Sequence, residues 1–465
     1  MSRVALAVLM MLILRCAEAE ETAPYLYRIW FTDKNHNTCS TERPEEFLSA
    51  KAIERRERQG IGITEEDLPP SEHYITEVLK RGGKAICRSR WLNTVVVASD
   101  DARLAAKLKK LPFVKKAEKI YEKEKEKGGY VPNLQYGETD STCLRNSIYG
   151  YSQQAETLNG AYLHSIGYRG QGITIAVLDA GFADADKIPE YIDTARIKGE
   201  YDVVNPGGDI YAEHAHGTSV LSIMAAGKRG EFVGCAPEAD YILIRTEYFN
   251  DEFRQEEDFW VRGAEYADSI GADIINSSLG YSSFDATRRQ YAADDRDGNT
   301  AVISRGAAAA ARKGIAVIVG AGNNGHGGDA PLPFPSDADG ILSVGSCNAG
   351  KAISAFSSGG YTSDGRIKPE VTAPGENIPV LINGGRLVTA SGTSYSAPAV
   401  AGLTACLMQA LPQYGAKEII RFVKESADRF TTPAPPYGYG IPDFKKAVQS
   451  ATASSGATGR TAEQR

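Results

Sequence analysis

The stretch ITIAVLDAG, residues 173–181, decides the fold of most of this chain. Residues 173–178 form a short, nearly continuous apolar run, which is typical of a strand buried on both faces of a parallel sheet. The run ends in a carboxylate, Asp179, and a glycine turn at Gly181. Because ligands gather at the carboxyl ends of strands in open α/β sheets, Asp179 is a candidate functional residue. Taken alone, an aspartate in this place is also explained as a turn or capping residue.

Similar apolar runs alternate with helical patterns along the following 270 or so residues. The further predicted strands are 241–244, 273–275 and 315–320. The predicted helices are 217–226, 257–270, 300–313 and 399–409. Continuous apolar strands separated by helices predict an α/β domain over residues 151–450, with a mostly parallel sheet flanked by helices.

The pattern of residues 25–121 is different and predicts a separate domain. Its segments, in order, are a strand at 25–31, a helix at 44–59, strands at 84–88 and 91–98, a helix opening at Ser99 or Asp100, and a strand at 113–121. The order β, α, β, β, α, β fits a small α+β, ferredoxin-like sandwich. A helical segment at 71–79 is predicted as an addition to this sandwich.

Three further segments connect or flank the two predicted domains. Residues 122–150 begin with EKEKEKGG and are predicted to be an exposed linker, although the EKEKEK part also fits a solvated helix extension. Residues 1–19 have the charged start, apolar run and small-residue end of a signal peptide, so we expect export to a secreted, periplasmic or cell-surface location. No segment is long and apolar enough for a membrane span. Residues 451–465 are poor in apolar side chains and are predicted to be a disordered tail.

The composition is that of a folded soluble protein. The 465 residues include 52 Lys and Arg against 59 Asp and Glu, a net charge of −7, and 42% are hydrophobic. This balance, without a basic stripe, argues against a nucleic-acid partner. Removal of the signal peptide leaves six widely spaced cysteines: Cys39, Cys87, Cys143, Cys235, Cys347 and Cys406. Disulfides and buried free thiols are both compatible with this spacing.

A second candidate segment is HAHGTS, residues 214–219, at the start of a predicted helix. His216 is suited to general acid–base chemistry near neutral pH. A zinc site is an alternative interpretation, because His214 and His216 alternate and Asp184 and Asp186 lie nearby in sequence. No further histidine follows at ligand spacing, which argues against zinc.

A third candidate segment is SGTSYSAP, residues 391–398. It opens the predicted small-residue helix, and a serine at a helix N-terminus has a backbone N–H and the positive end of the helix dipole beside its hydroxyl. Ser394 is therefore a candidate nucleophile. By itself the segment also fits an N-cap, because other Ser and Thr residues flank Ser394.

The three segments together are more specific than any one of them, because Asp, His, Ser is one of the established chain orders of a hydrolytic triad. The sequence resembles the subtilisin-like serine proteases. The matching motifs are LDAG at 178–181, HGT at 216–218, GAGNNG at 320–325 and GTSYSAP at 392–398. Lesser matches are GCAP at 234–237, NSSLG at 276–280, KPEVTAPG at 368–375 and YGIP at 439–442. The resemblance covers roughly residues 155–450.

The resemblance implies a serine endopeptidase with an acyl-enzyme mechanism. Ser394 would be the nucleophile, His216 the general base and acid, and Asp179 the residue that orients the histidine. Asn323 and the Ser394 N–H would form the oxyanion hole. Ser278, Leu279 and Gly280 would pair with an extended peptide substrate as an added strand. The chemistry needs no cofactor; many relatives bind structural calcium, for which Asp184 and Asp186 are weak candidates.

The resemblance also gives the N-terminal domain a role. Subtilisin-like zymogens typically carry a ferredoxin-like propeptide that assists folding and lays its end into the active site. We therefore expect residues 25–121 to be a propeptide, a partner of the enzyme, and self-cleavage to occur between residues 122 and 150. A permanent accessory domain is the rival interpretation. For the whole chain, the alternatives are a catalytically silent binding or scaffold protein and a serine acyltransferase or transpeptidase.

Overall fold

A computed structural model describes residues 23–123, 148–150, 152–249, 252–285, 290–327 and 332–452. The predicted signal peptide and most of the predicted linker and tail lie outside these residues. The described residues fall into an N-terminal region, residues 23–123, and a C-terminal region, residues 148–452. No helix in these ranges has the length and apolar character needed to cross a membrane.

The N-terminal region is built on a four-stranded antiparallel sheet. In spatial order its strands are β2 (Lys84–Ser89), β3 (Thr94–Ser99), β1 (Tyr25–Phe31) and β4 (Val114–Glu122). Its helices are α1 (Ala50–Arg58), α2 (Glu72–Leu79) and α3 (Leu104–Leu108). One face of the sheet packs on α2 and α3. Both the small α+β arrangement and the order of its elements agree with the sequence analysis.

The helix that adds to this sandwich is α1, not the 71–79 segment as expected from the sequence. Tyr74, Ile75 and Val78 of α2 belong to the core of the sandwich together with strand residues. The buried residues of α1 are instead Ala52 and two arginines. An amphipathic pattern marks the face of a helix that becomes buried but not what covers it, so the two helices could not be told apart.

The C-terminal region contains, within the described residues, a seven-stranded sheet with every neighbouring pair parallel. In spatial order its strands are β15 (Val371–Pro374), β12 (Leu342–Cys347), β11 (Ala316–Gly320), β10 (Ile274–Ser277), β5 (Thr174–Asp179), β9 (Asp240–Arg245) and β6 (Ile197–Asp202). The paired short strands are β7 (Gly227–Lys228), β8 (Phe232–Val233), β13 (Gly360–Tyr361), β14 (Ile367–Lys368), β16 (Ile378–Ile382) and β17 (Arg386–Ala390). The α/β prediction is confirmed.

Helices cover both faces of the central sheet. They are α4 (Gln154–Thr157), α5 (Ala161–Ser165), α6 (His216–Ala225), α7 (Gln255–Ile270), α8 (Val302–Arg312), α9 (Thr393–Ala410) and α10 (Ala416–Ser426), followed by a helix at 444–452. Alternate residues of β5 show the arrangement: Ile175 and Val177 join the core with α6 and α9, whereas Ala176 and Leu178 join the core with α7 and α8. Burial on both faces explains why the strand sequence is almost continuously apolar.

Five cysteines fall within the described residues, and all five are free thiols. Four of them are buried, and Cys39 is partly exposed. Cys143 lies outside these residues. For the five described cysteines, the free-thiol alternative is therefore the one observed.

Candidate active site

The three candidate triad residues stand at the ends of elements. Asp179 is the last residue of β5, His216 the first of α6 and Ser394 the second of α9. Their relative exposures are 0%, 6% and 8%. Because β5 is parallel to its neighbours, the carboxyl ends of the central strands meet at one edge, and the site forms there.

Asp179 and His216 are joined by a short hydrogen bond. Nδ1 of His216 lies 2.7 Å from Oδ1 of Asp179, which also accepts the N–H of Ala180 at 2.8 Å. With Nδ1 as the donor, Nε2 keeps a lone pair and can accept a proton. The approach of α6 depends on Gly217, where a Cβ would lie 2.3 Å from the carbonyl oxygen of Gly181.

The environment of His216 changes its basicity. Burial lowers the pKa of the imidazole, but the negative charge of Asp179 and its hydrogen bond outweigh this effect. The net result is a pKa raised above the usual value of 6.5. His216 is thus a stronger base than a free histidine.

Ser394 is tied to the segment that follows β10. Its hydroxyl donates to the Ser278 carbonyl at 3.2 Å, and its own carbonyl accepts the Ser278 hydroxyl at 2.9 Å. In a regular helix that carbonyl would accept the N–H of residue 398, but Pro398 has none. Pro398 therefore frees the Ser394 carbonyl to hold Ser278. This also explains the helix start, which lies six residues before the predicted 399.

Asn323 lies beside the start of α9. Its side-chain oxygen accepts the backbone N–H of Thr393 at 2.9 Å. This bond fixes the oxygen of the Asn323 amide towards Thr393. The NH₂ group of the same amide therefore points away from Thr393 and can donate a hydrogen bond to another group. Ser394 follows in the first turn of α9, where backbone N–H groups have no carbonyl partner within the helix. The two donors named by the sequence analysis are thus close together.

An open cleft of about 440 Å³ runs past these residues. It is lined by His216, Ser394 and Asn323, and by all three residues of the segment Ser278, Leu279 and Gly280. Behind this segment, the backbone of Tyr281 exchanges two 2.9 Å hydrogen bonds with Phe334. The predicted substrate-binding segment therefore forms a fixed wall of the cleft that contains the candidate nucleophile. Pro333 also lines the cleft, and the neighbouring residues 328–331 lie outside the described residues.

Six cleft residues were missed by the sequence analysis: Glu247, Phe249, Glu252, Ser282, Ser283 and Asp285. Glu247 lies two residues after β9, so the rule that singled out Asp179 at a strand end also applies to it. The hydroxyl of Tyr281 donates to Glu247 at 3.0 Å. Burial and the charge of Asp179 raise the pKa of Glu247 to about 8. Burial and the charges of Glu247 and Asp285 raise the pKa of Glu252 to about 9.

Three of the four candidate metal ligands, His214, His216 and Asp184, contact protein groups. Nδ1 of His214 accepts the backbone N–H of His216 at 3.1 Å, and the His214 ring stacks on Phe249. Asp184 pairs with Lys187 at 2.8 Å. Across the ranges that the structure describes, no three His, Cys, Asp or Glu side chains are grouped to hold a metal ion.

Comparison with protein families gives two matches. The model of the subtilase family, Peptidase S8, matches residues 170–441. The model of the Peptidase S8 propeptide domain of Bacteroidota matches residues 26–130. Together the two models span nearly all of the N-terminal and C-terminal regions.

Individual relatives give the same result. The chain is 34% identical to an intracellular serine protease of Paenibacillus polymyxa, over 52% of this chain and 68% of the relative. It is 28% identical to serine protease AprX of Bacillus subtilis, over 60% of this chain and 66% of the relative. It is also 28% identical to subtilisin E of Bacillus subtilis, over 68% of this chain and 76% of the relative.

Proposed function

Since this chain belongs to the subtilase family of serine peptidases, we propose that it is an exported zymogen whose endopeptidase chemistry runs through Asp179, His216 and Ser394. The chain is a subtilisin-like serine endopeptidase with an N-terminal propeptide domain. The observation that carries the residue assignment is the 2.7 Å bond between Asp179 and His216, beside a cleft that His216 and Ser394 both line.

In the proposed mechanism, His216 is the general base. Asp179 holds the imidazole with Nδ1 protonated, so Nε2 faces the nucleophile with its lone pair. The Ser394 hydroxyl leaves the Ser278 carbonyl, gives its proton to Nε2 and attacks the scissile carbonyl of the substrate. The imidazolium that forms is stabilised by the carboxylate of Asp179. His216 then gives the proton to the leaving amine. Water finally hydrolyses the ester between the acyl group and Ser394, which frees the acid product and restores the serine hydroxyl.

The negative charge that develops on the substrate oxygen requires donors in place before the reaction. The Asn323 amide and the Ser394 N–H are the proposed pair, and each such donor lowers the barrier by about 3 to 4 kcal/mol. The orientation of Asn323 is supported by its bond to Thr393. The proposed oxyanion hole therefore belongs to the same fixed helix start as the nucleophile.

The proposed substrate is an extended polypeptide. Its backbone would add as a strand beside Ser278, Leu279 and Gly280, which line the cleft. The chemistry uses only groups of the chain. The expectation of structural calcium, drawn from the family resemblance, stays a prediction.

The zymogen proposal includes two steps before activity. The signal peptide predicted at residues 1–19 would direct export, and the chain would then cut itself between residues 122 and 150. The propeptide match and the hydrophobic packing between the two regions support a propeptide that is docked on the enzyme before it is cut. Removal of the propeptide is part of the proposal.

The test is the intact mass of residues 20–465, purified as wild type and as Ser394→Ala. The wild type is expected to lose an N-terminal fragment that ends between residues 122 and 150, and Ser394→Ala is expected to keep it. If both proteins retain the full chain although both are folded by circular dichroism, self-cleavage by Ser394 is wrong. Incubation of the wild type with a peptide and a competing amine then separates hydrolysis from transpeptidation.

A further inference from the structure

Helix α1 belongs to the N-terminal region in sequence but to the C-terminal region in its contacts. Arg55 and Arg56, which are 2% and 1% exposed, both pair with the fully buried Asp268 of α7. The N–H of Ser49, the N-cap residue, donates to the carbonyl of Ser269 at 2.7 Å. These bonds fix α1 against the C-terminal end of α7.

From this position α1 reaches the amino-terminal edge of the central sheet. Nζ of Lys51 lies 3.1 Å from the Asp273 carboxylate, just before β10, and also hydrogen-bonds the Thr174 hydroxyl at the start of β5. Arg55 donates to the carbonyl of Ala272 at 2.6 Å. Asp179 stands at the other end of β5, about 17 Å away for a strand of this length. The helix therefore holds the sheet at the edge opposite the active site.

Gln59, directly after α1, extends the contact to a third strand. Its side-chain NH₂ donates to the Gly314 carbonyl, two residues before β11, at 2.8 Å. Its side-chain oxygen accepts the N–H of Ala416, the first residue of α10, at 2.9 Å. One side chain of the N-terminal region thus satisfies backbone groups at the starts of β11 and α10.

Three glycines of the C-terminal region make room for this contact. A Cβ on Gly271 would lie 2.8 Å from Cβ of Lys51. A Cβ on Gly314 or on Gly415 would lie 2.8 Å from the amide group of Gln59. Gly271 and Gly314 also have positive φ, but Gly415 has φ −80°, which any residue adopts. A side chain at position 415 would therefore fit the backbone conformation but would occupy the space that Gln59 fills.

This contact differs from the packing of the N-terminal sheet. The sheet lies on α7 and α8, where Arg28 is bonded to Asp258 through Nε at 2.8 Å. Helix α1 instead crosses the ends of the strands β5, β10 and β11. The two contacts meet at Asp268 of α7, which also accepts from Arg90 of the β2–β3 hairpin, but the contacts at the strand ends are made by α1 and Gln59.

We propose that residues 49–59 form a second docking element, on the amino-terminal edge of the central sheet, that sets how long the N-terminal region stays bound after the chain is cut. The partner of this edge is the chain's own N-terminal fragment. The proposal rests on the proposed function, because release matters only once the linker has been cleaved. Loss of the edge contact would leave the fragment held by its sheet alone.

The test separates release of the fragment from cleavage by the enzyme itself. The full chain carries Ser394→Ala, a recognition sequence for an exogenous site-specific protease within residues 124–147, and a C-terminal tag. After immobilisation through the tag and complete cutting, the loss of the N-terminal fragment into flowing buffer gives its dissociation rate. This readout does not require that Ser394 is the nucleophile.

The variants are Gln59→Ala on one side of the contact and Gly415→Ala on the other. Each is expected to speed dissociation about tenfold, the consequence of losing two hydrogen bonds across the edge. The double variant is expected to dissociate no faster than Gln59→Ala, because both changes remove the same contact. Glu57→Ala, on the exposed face of α1, is the matched control and should leave the rate unchanged.

Equal dissociation rates for Gln59→Ala, Gly415→Ala and Glu57→Ala would overturn the proposal, because the sheet packing alone would then hold the fragment. Additive effects in the double variant would also contradict it, since two independent defects would be responsible. Thermal unfolding of the uncut variants shows whether the chain folds. A variant that does not fold is replaced by Gln59→Glu, which keeps the size of the side chain but removes its donor.

Discussion

The two sheets of the molecule are covered in different ways. The central sheet of the C-terminal region packs between helices of its own region on both faces. The sheet of the N-terminal region packs on its own helices α2 and α3 on one face and on α7 and α8 of the C-terminal region on the other. The first arrangement completes its own core, and the second requires a partner. The N-terminal region therefore needs the C-terminal region to bury the second face of its sheet.

The interface between the two regions and the active-site cleft also differ in the partners of their buried carboxylates. At the interface, Asp268 accepts from three arginines of the N-terminal region: Arg55, Arg56 and Arg90. In the cleft, one carboxylate oxygen of Glu252 is buried without a hydrogen-bond partner. Asp268 at the interface is therefore paired with cations, whereas burial and neighbouring negative charges raise the pKa of Glu247 and Glu252 in the cleft. Four substitutions test this difference, together with the proposed chemistry.

The largest effect is expected for Asp179→Asn. The NH₂ group of an asparagine can donate to Nδ1 of His216, which favours the tautomer without a lone pair on Nε2, and the neutral amide does not stabilise the imidazolium. The rate of linker cleavage and of peptide hydrolysis should therefore fall about 10⁴-fold. The rates are measured by mass spectrometry and with a fluorogenic peptide. Binding of the N-terminal region should be unchanged. The control Asp339→Asn alters an exposed aspartate, and a loss of the same size there would contradict the assignment.

Asp268→Asn is expected to have the next largest effect, on stability. It leaves the buried guanidinium groups of Arg55 and Arg90 without their counter-ion and Arg56 with Asp67 alone, which should cost about 3–5 kcal/mol. The free energy of unfolding is measured by urea denaturation of the uncut Ser394→Ala chain. Asp100→Asn, at an exposed aspartate of the N-terminal region, is the control. A cost no larger than that of the control would mean that the arginine contacts contribute little.

Asn323→Ala tests the proposed oxyanion hole. Removal of one donor is expected to lower kcat about 10²- to 10³-fold, while KM changes little, because the donor acts on the charge of the transition state. Steady-state kinetics with a fluorogenic peptide measure both constants. Asn324→Ala alters the neighbouring cleft residue and serves as the control. A rise in KM without a fall in kcat would assign Asn323 to substrate binding instead.

The smallest effect is expected for Glu252→Gln. A carboxyl whose pKa is about 9 in the folded chain stays protonated while the unfolded chain ionises, so stability falls as pH rises from about 4.5 towards 9. The amide removes this penalty. Relative to the wild-type residue, Glu252→Gln should stabilise the uncut Ser394→Ala chain by about 1–3 kcal/mol at pH 8 and hardly at all at pH 4.

Urea denaturation at the two pH values measures this difference. Glu57→Gln, a change of the same kind at an exposed glutamate, is the matched control. A gain for Glu252→Gln that is equal at pH 4 and pH 8 would show that the carboxyl of Glu252 ionises normally in the folded chain.

The fold was largely predictable because each buried strand of the central sheet is a short apolar run in the sequence. The run at 173–178 differs from the observed β5, Thr174–Asp179, by one residue at each end. Helix ends were less predictable: α9 begins before Pro398, because a hydroxyl from Ser278 takes the place of the missing backbone donor. A bond between residues more than 100 positions apart leaves no local pattern in the sequence.

The candidate site was predictable in its chemical groups and not in its surroundings. Sequence order and motif resemblance pointed to Asp179, His216, Ser394 and Asn323, and the structure brings them to one edge of the sheet. Their roles remain predictions. The acidic residues of the cleft were missed because Glu247 and Glu252 lie in a segment without a motif. Their raised pKa values depend on burial and on neighbours that only folding supplies.

The sequence by itself determined the α/β class of the C-terminal region, the ferredoxin-like order of the N-terminal region, the family and the candidate triad. These follow from local periodicity and from short motifs, which can be recognised in the linear sequence. The tertiary structure decided that α1 holds the amino-terminal edge of the central sheet and that three arginines meet at Asp268. It also decided that the acidic residues Glu247, Glu252 and Asp285 line one cleft. Such features depend on which distant residues share a surface, and burial and electrostatic energies are set by that proximity.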